Sequence, residues 1–204
     1  MAKVALIGAS GNAGSRLLSE LSERGHQVTA IARNADRIAS LPGVTARQGD
    51  ADESQALAAL LKGHDAVISA VNFKTNDVKT LVGAVVRDAG VTRYLVVGGA
   101  GSLEVAFEEK LIDQPDFPDA YQPEARAGGE FLDFLRGVED LEWTFLSPSA
   151  EFVPGDRTGQ FRLGQDQLLT HEGGSSISFE DYAVAMVDEL ENPTHVRQRF
   201  TVGY

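Results

Sequence analysis

The sequence predicts an α/β protein: a doubly wound parallel sheet with helices on both faces. Three observations carry that expectation. The apolar run over residues 4–7 ends in glycines at Gly8, Gly11 and Gly14, and an amphipathic segment follows at once, which reads as strand, tight turn and helix. Strand-like and helix-like segments then alternate through the first half of the chain, the pattern of parallel strands joined by right-handed crossovers. Strands such as residues 66–71 are small and β-branched throughout instead of alternating, as strands covered on both faces are.

Composition bounds what such a protein can do. At 204 residues the chain is long enough for one domain with a full core and short for two, so a single domain over residues 1–204 is expected. There is no cysteine, which excludes disulfides, thiolate catalysis and cysteine metal sites. His26, His64, His171 and His195 lie far apart without metal-ligand spacing, so no metal site is expected. The formal charge of −12 argues against nucleic acid or an anionic membrane as partner, and it means that an anionic ligand needs local positive charge. No apolar run reaches membrane-spanning length and the first residues enter a strand directly, so a cytoplasmic protein is expected.

In the opening stretch KVALIGASGNAG each glycine has a separate task. Gly8 lets the chain leave the strand through a turn that a side chain obstructs. Gly11 lets the backbone approach a bound pyrophosphate, and Gly14 lets the first helix lie close to the sheet. The amides of Asn12 and Ala13 then face phosphates at the positive end of the helix dipole, and Ser10 adds a hydroxyl donor. This is the arrangement of a Rossmann-type dinucleotide cradle, although the spacing is G-x-x-G-x-x-G and not the commoner G-x-G-x-x-G. A glycine-rich turn without ligand is the alternative. Leu17, Leu18 and Leu21 continue the helix, and Gly25 ends it.

The second strand, Gln27–Ala32, leads to Arg33. In a dinucleotide fold this position meets the adenosine ribose, where an acidic residue accepts from both hydroxyls and an arginine suits a 2′-phosphate. NADP(H) is therefore favoured over NAD(H), with Arg37 adding to the patch; the alternative is a solvated arginine at a strand end. Val44–Gln48 reads as a third strand, after which Asp50 can accept from the adenine amino group with Ala51 against the ring. Alternatively Asp50 or Asp52 caps the helix Ser54–Leu61. Gly63 ends that helix. The fourth strand, over residues 66–71, brings Ala70, Val71, Asn72 and Phe73 to the carboxyl end of the sheet, where ligands bind in such folds. Residues 77–89 are helical by the pattern Val78, Leu81, Val82, Val85, Val86. A fifth strand over residues 94–97 then opens into Gly98, Gly99, Ala100 and Gly101, a floor suited to a flat nicotinamide, with Ser102 as the catalytic candidate near the reacting end.

On ALIGASGNAG, VVGGAGSL, FVPGDRTGQFRLGQDQLL, SSISFEDYAVAMVDELE and RFTVGY, the chain resembles the atypical branch of the short-chain dehydrogenase/reductase superfamily. Within that branch it more closely resembles the NmrA-like NAD(P)H-binding proteins labelled NADH-flavin reductases, relatives of biliverdin-IX-beta reductase. The resemblance covers essentially the whole chain and implies NADPH binding and flavin reduction. One departure matters. The best-known branch uses Tyr-x-x-x-Lys, where the lysine lowers the tyrosine pKa, whereas Tyr121-Gln122-Pro123-Glu124-Ala125 has alanine at the lysine position. An acid–base alcohol dehydrogenase mechanism is disfavoured. Hydride transfer to a flavin avoids the difficulty, since cofactor and acceptor carry the chemistry.

The substrate-side elements occupy about residues 103–204, after a cofactor half of about 1–102. Residues 103–120 are irregular and long for a connection, which suggests a lid, with Phe73, Phe107, Phe117, Tyr121 and Phe152 either contacting a planar substrate or packing the lid down. A helix runs from near Glu124 to Gly137 with Pro123 at its first position, and residues 143–146 form a strand holding Trp143 in the core. Arg157 and Arg162 either bind an anionic substrate group or pair with carboxylates, and pairing is the expected arrangement in a chain this acidic. Residues 161–163 and 167–169 suggest a hairpin across Gly164. Ser178 and Asp181 form a capping box for the helix 180–190, which assigns Glu180 and Asp181 to the helix start and not to catalysis, and residues 199–202 make a last strand. The expected function is an NADPH-dependent reductase of a flavin, quinone or similar planar acceptor, with flavin as substrate and not as tightly held cofactor. The alternatives are a catalytically silent NADP(H)-sensing regulator with a protein partner, and a nucleotide-sugar-type epimerase or isomerase.

Overall fold

The structure, a computed structural model, describes residues 1–204, the side chains of residues 86 and 87 excepted; Val86, counted above in a helical pattern, lies outside the described side chains. The first half runs β1 (Lys3–Ile7), α1 (Asn12–Glu23), β2 (Gln27–Ala32), β3 (Val44–Gln48), α2 (Ser54–Leu61), β4 (Ala66–Ser69), α3 (Val78–Gly83) and β5 (Arg93–Val97). A hairpin of β6 (Glu104–Ala106) and β7 (Glu109–Lys110) follows. The remainder is α4 (Gln122–Arg136), β8 (Glu142–Pro148), β9 (Glu151–Val153), β10 (Arg162–Gly164), β11 (Ser176–Ser178), α5 (Phe179–Glu191) and β12 (Gln198–Gly203). The main sheet has eight strands in the order β10-β12-β8-β5-β4-β1-β2-β3. It is parallel except for β10, which runs antiparallel to β12. This is a Rossmann-like α/β domain, and its strand order reverses between β1 and β4.

Strand side chains alternate between two cores. Val4 and Leu6 face one side with Leu17, Leu18 and Leu21 of α1 and Tyr182 and Met186 of α5. Ala5 and Ile7 face the other with Leu57 of α2, Leu81 of α3 and Phe131, Leu132 and Leu135 of α4. Burial on both faces is why these strands are continuously apolar, and each fully buried leucine contributes about 1.5–3 kcal/mol.

Several elements depart from expectation. β4 stops at Ser69, so Ala70 and Val71 belong to the loop beyond it, where the Ala70 amide still donates to the Ile7 carbonyl (2.8 Å). The third helix changes to a π turn over Ala84–Asp88, and Gly90 follows it at φ +73°. Pro123 takes the second position of α4, after Gln122. The hairpin across Gly164 does not form: residues 162–164 pair with Val202 and its neighbours in the last strand, and Gln167 bridges to Glu104. A three-residue strand has too little pattern to show that its partner lies forty positions away. Trp143 is buried and Arg157 pairs with Glu20 as expected, while Arg162 donates to the carbonyls of Thr170 and Tyr204.

Candidate functional site

The site grows from the turn after β1. Gly8 takes φ +81°, and the amides of Gly8 and Ala9 both donate to the Ile31 carbonyl of β2 (2.9 and 3.1 Å). The Gly11 amide returns to the Gly8 carbonyl (3.1 Å), closing a tight turn. A β-carbon at Gly8 would run into the Ala70 carbonyl, and one at Gly14 would run into the Gly8 carbonyl. Both overlaps involve backbone, which cannot rotate aside. Helix α1 starts at Asn12 without a side-chain cap, so the amides of Asn12, Ala13 and Gly14 have no acceptor within the helix.

A cavity of about 250 Å³ opens on this turn at the carboxyl edge of β1, β2 and β4. Gly8, Ser10 and Gly11 form one side, Arg33 and Arg37 a second, and Asp50, Ala51, Ala70 and Val71 the rest, with Asn72, Thr75 and Asn76 added from the loop after β4. Asn12, Ala13 and Gly14, the first residues of α1, are not in the lining. Arg33 and Arg37 are exposed, and among the described residues neither forms an ion pair, in a chain whose other arginines mostly do. Asp50 does not cap α2. Its carboxylate accepts from the Asp52 amide (3.1 Å), Asp52 in turn accepts from the Asp77 amide (2.9 Å), and α2 begins after Glu53 with no side-chain cap. A glycine cradle that a β-carbon would fill, an uncapped helix start and two cations without ion pairs among the described residues together fit an anionic dinucleotide.

The second cavity, of about 530 Å³, lies beyond Phe73, the residue after Asn72, at the ends of β5 and β8. Residues 98–101, including the expected Gly98 and Gly99, line it; Phe73, Phe117, Tyr121 and Phe152 supply its aromatic side chains. These aromatics both pack and line. Phe73 stacks on Phe145 (6.1 Å, 18°), and Phe152 meets Phe179 edge-on (4.5 Å). Helix α4 is fastened to this wall by Glu124, whose carboxylate accepts from the amides of Phe73 and Lys74 (2.7 and 2.9 Å).

A profile of NAD(P)H-binding proteins matches residues 8–193. The chain belongs to the NAD(P)H-binding family. Similar solved structures carry provisional names that differ in kind. One from Burkholderia pseudomallei, named an exported protein, is 45% identical with a TM-score of 0.90 and full coverage of both chains. One from Bacteroides thetaiotaomicron, named an epimerase, is 43% identical with a TM-score of 0.94, covering 99% of this chain and 96% of the other. One from Streptococcus pneumoniae, named an NADH-flavin reductase, is 36% identical with a TM-score of 0.85, covering 100% and 99%.

In this NAD(P)H-binding protein Ser102 and Phe107, like Asn12, Ala13 and Gly14, are expected site residues that line neither cavity. The Ser102 hydroxyl oxygen accepts from Arg199 (3.1 Å), whose guanidinium also binds Asp166, and Ser102 is absent from the cavity lining. Phe107 sits in the β6–β7 turn, 89% exposed and in neither lining. The cause is an arginine of the last strand and a hairpin within the irregular segment, and neither has a local signature near these residues.

The position four after Tyr121 lies against the loop after β5: a β-carbon at Gly101 would come within 2.7 Å of the Ala125 methyl, and Ala125 also lines the second cavity. Of the other tyrosines, Tyr94 donates or accepts with Ser69 (2.7 Å) and Tyr182 donates to the Leu146 carbonyl (2.7 Å); burial pushes both hydroxyls up, and neither lines a cavity. Sequence reasoning missed Glu124, Ser149 and Glu151. The strand-end rule would have found the latter two, since β8 lies beside β5, but Glu124 reaches a loop fifty residues away and has no sequence signal. Among the described residues no group of His, Cys, Asp and Glu is placed to hold a metal ion, and no helix is long and apolar enough to cross a membrane.

Proposed function

We propose that this protein is an NADPH-dependent reductase that passes a hydride to a flavin, quinone or comparable planar acceptor. The observation that carries the reading is the aromatic-lined cavity over residues 98–101, next along the carboxyl edge to the cradle. In this reading the turn amides and Ser10 hold the pyrophosphate, Arg33 and Arg37 hold the 2′-phosphate, and Asp50 and Ala51 meet the adenine. Bound there, reduced nicotinamide supplies the hydride. Residues 98–101 give it a flat floor, and Phe73, Phe117, Tyr121 and Phe152 orient the acceptor ring and exclude water. No residue of the chain is assigned a proton transfer, because Tyr121 lacks a lysine partner and a quinone or flavin takes its proton from solvent. Mixing protein, NADPH and menadione or riboflavin and following the loss of reduced-nicotinamide absorbance tests the reading; no oxidation with any quinone or flavin would overturn it.

The alanine at 125 also favours a second reading, a cofactor-sensing protein that binds NADP(H) and a protein partner without turnover. Tight NADPH binding with no oxidation under any acceptor would select it. The epimerase name of one similar structure belongs to that protein; here a nucleotide-linked sugar would have to pass the same aromatic wall. A cytoplasmic location suits a user of NADPH, and fractionation of cells producing the protein checks it.

A further inference from the structure

We propose that the acceptor is uncharged or cationic and that phosphorylated and carboxylated acceptors are turned away at the mouth of the second cavity. The inference rests on the reductase reading and narrows its substrate class. Among the described residues lining the cavity there is no lysine, arginine or histidine, whereas Asp116, Glu124 and Glu151 each bring a carboxylate. Glu124 is occupied: both of its oxygens accept backbone amides, from Phe73 and Lys74. Asp116 and Glu151 are different. Both are exposed, come from separate segments of the wall, and among the described residues make no ion pair.

Lining residues that are also exposed belong to the mouth of the cavity; Asp116 and Glu151 stand there with Pro118, Tyr121 and Ala150, and they are the charged groups among these that a tail leaving the acceptor ring meets. A ring system entering over residues 98–101 meets apolar and aromatic surface and is held by dispersion and burial. A phosphate or carboxylate on its tail meets two like charges and no counter-charge, in a chain of formal charge −12. The cofactor, itself an anion, escapes this penalty because Arg33 and Arg37 stand in its own cavity. The second cavity has no equivalent. Neutral quinones and unphosphorylated flavin fit it; flavin mononucleotide and propionate-bearing tetrapyrroles do not.

Riboflavin and flavin mononucleotide share one ring and differ by the phosphate, so the pair isolates the charge. With NADPH at low salt, kcat/KM for riboflavin is expected to exceed that for the mononucleotide about tenfold, and added salt should close the gap as the mouth is screened. The D116N/E151Q double variant, both positions exposed, should bring the ratio to about twofold at low salt. Equal or better use of the mononucleotide, or a ratio that the double variant leaves unmoved, overturns the proposal. Binding of the two flavins to the NADP⁺-saturated protein, read by quenching of flavin fluorescence, gives the same ratio without turnover. If neither flavin nor any quinone is reduced, the reductase reading fails, and the binding ratio still decides whether the mouth rejects anions.

Discussion

Among the described residues, the cavity over β1, β2 and β4 holds two arginines without carboxylate partners, while the cavity over β5 and β8 holds three carboxylates and no cation. The first is built from a turn whose shape is dictated by backbone overlap at Gly8 and Gly14. The second is built from side chains that arrive from four separate segments, and the strand-poor stretch that follows β9 is fastened by an ion pair and a backbone hydrogen bond. Arg157 grips Glu20 of α1 through two hydrogen bonds (2.7 and 2.8 Å), and the Gly155 amide donates to Glu180 (2.9 Å). On the proposed reading, one end of the site would recognise a fixed anion by backbone geometry and local charge, and the other would select by shape and by what it repels.

The comparison breaks most completely at the cradle. In Gly14→Val the β-carbon displaces the Gly8 carbonyl, so NADPH binding should be lost while far-ultraviolet circular dichroism still reports a folded domain. Unchanged NADPH affinity would mean that the turn does not hold the pyrophosphate.

Next in size is the fastening of the distal half. Hydrogen bonds from Arg157, assisted by Arg24, hold the buried Glu20 carboxyl below its ordinary range, with burial opposing them. A folded pKa below the unfolded one stabilises the protein above the ordinary carboxylate range and is lost as pH falls through the folded value. Glu20→Gln should therefore cost about 2 kcal/mol at neutral pH. That cost should shrink in urea midpoints taken progressively below pH 4.5, the ordinary value, and a cost independent of pH would contradict the assignment.

Exchanging the sign of the first cavity gives a smaller effect. Arg33→Asp should lower the preference for NADPH over NADH at least about tenfold, by loss of charge-assisted contacts to the 2′-phosphate. A preference that stays put would remove the case for NADP(H). The smallest change is expected at Tyr121, which is 65% exposed at the start of α4. Tyr121→Phe should leave kcat within about twofold, since a general acid contributes about a hundredfold or more. A hundredfold loss would restore an acid–base role.

Much of the first half was legible because its signals are local. The glycine turn, the bounds of β2, β3 and α2, and the placement of Arg33 past β2 all follow from a few adjacent residues. The capping box at Ser178 was legible for the same reason, with its hydroxyl accepting from the Asp181 amide (2.9 Å). Asp181 does more than its position suggests: it is fully buried and also accepts from Thr158, the Gly159 amide and Tyr204 (2.6, 2.8 and 2.7 Å). That second set of partners comes from two remote segments and leaves no trace in the helix pattern.

By itself, then, the sequence determined the α/β class, the cradle and the arginines beside it, since periodicity, steric exclusion at glycine and the charge following a strand all act over a few residues. Tertiary structure decided that Arg199 of the last strand binds Ser102 outside the cavity lining, that β10 pairs with β12, and that Asp116 and Glu151 stand at one mouth with no cation among the described residues. Those outcomes depend on which distant segments meet, and the energy of each meeting is set by packing and burial that no local pattern encodes.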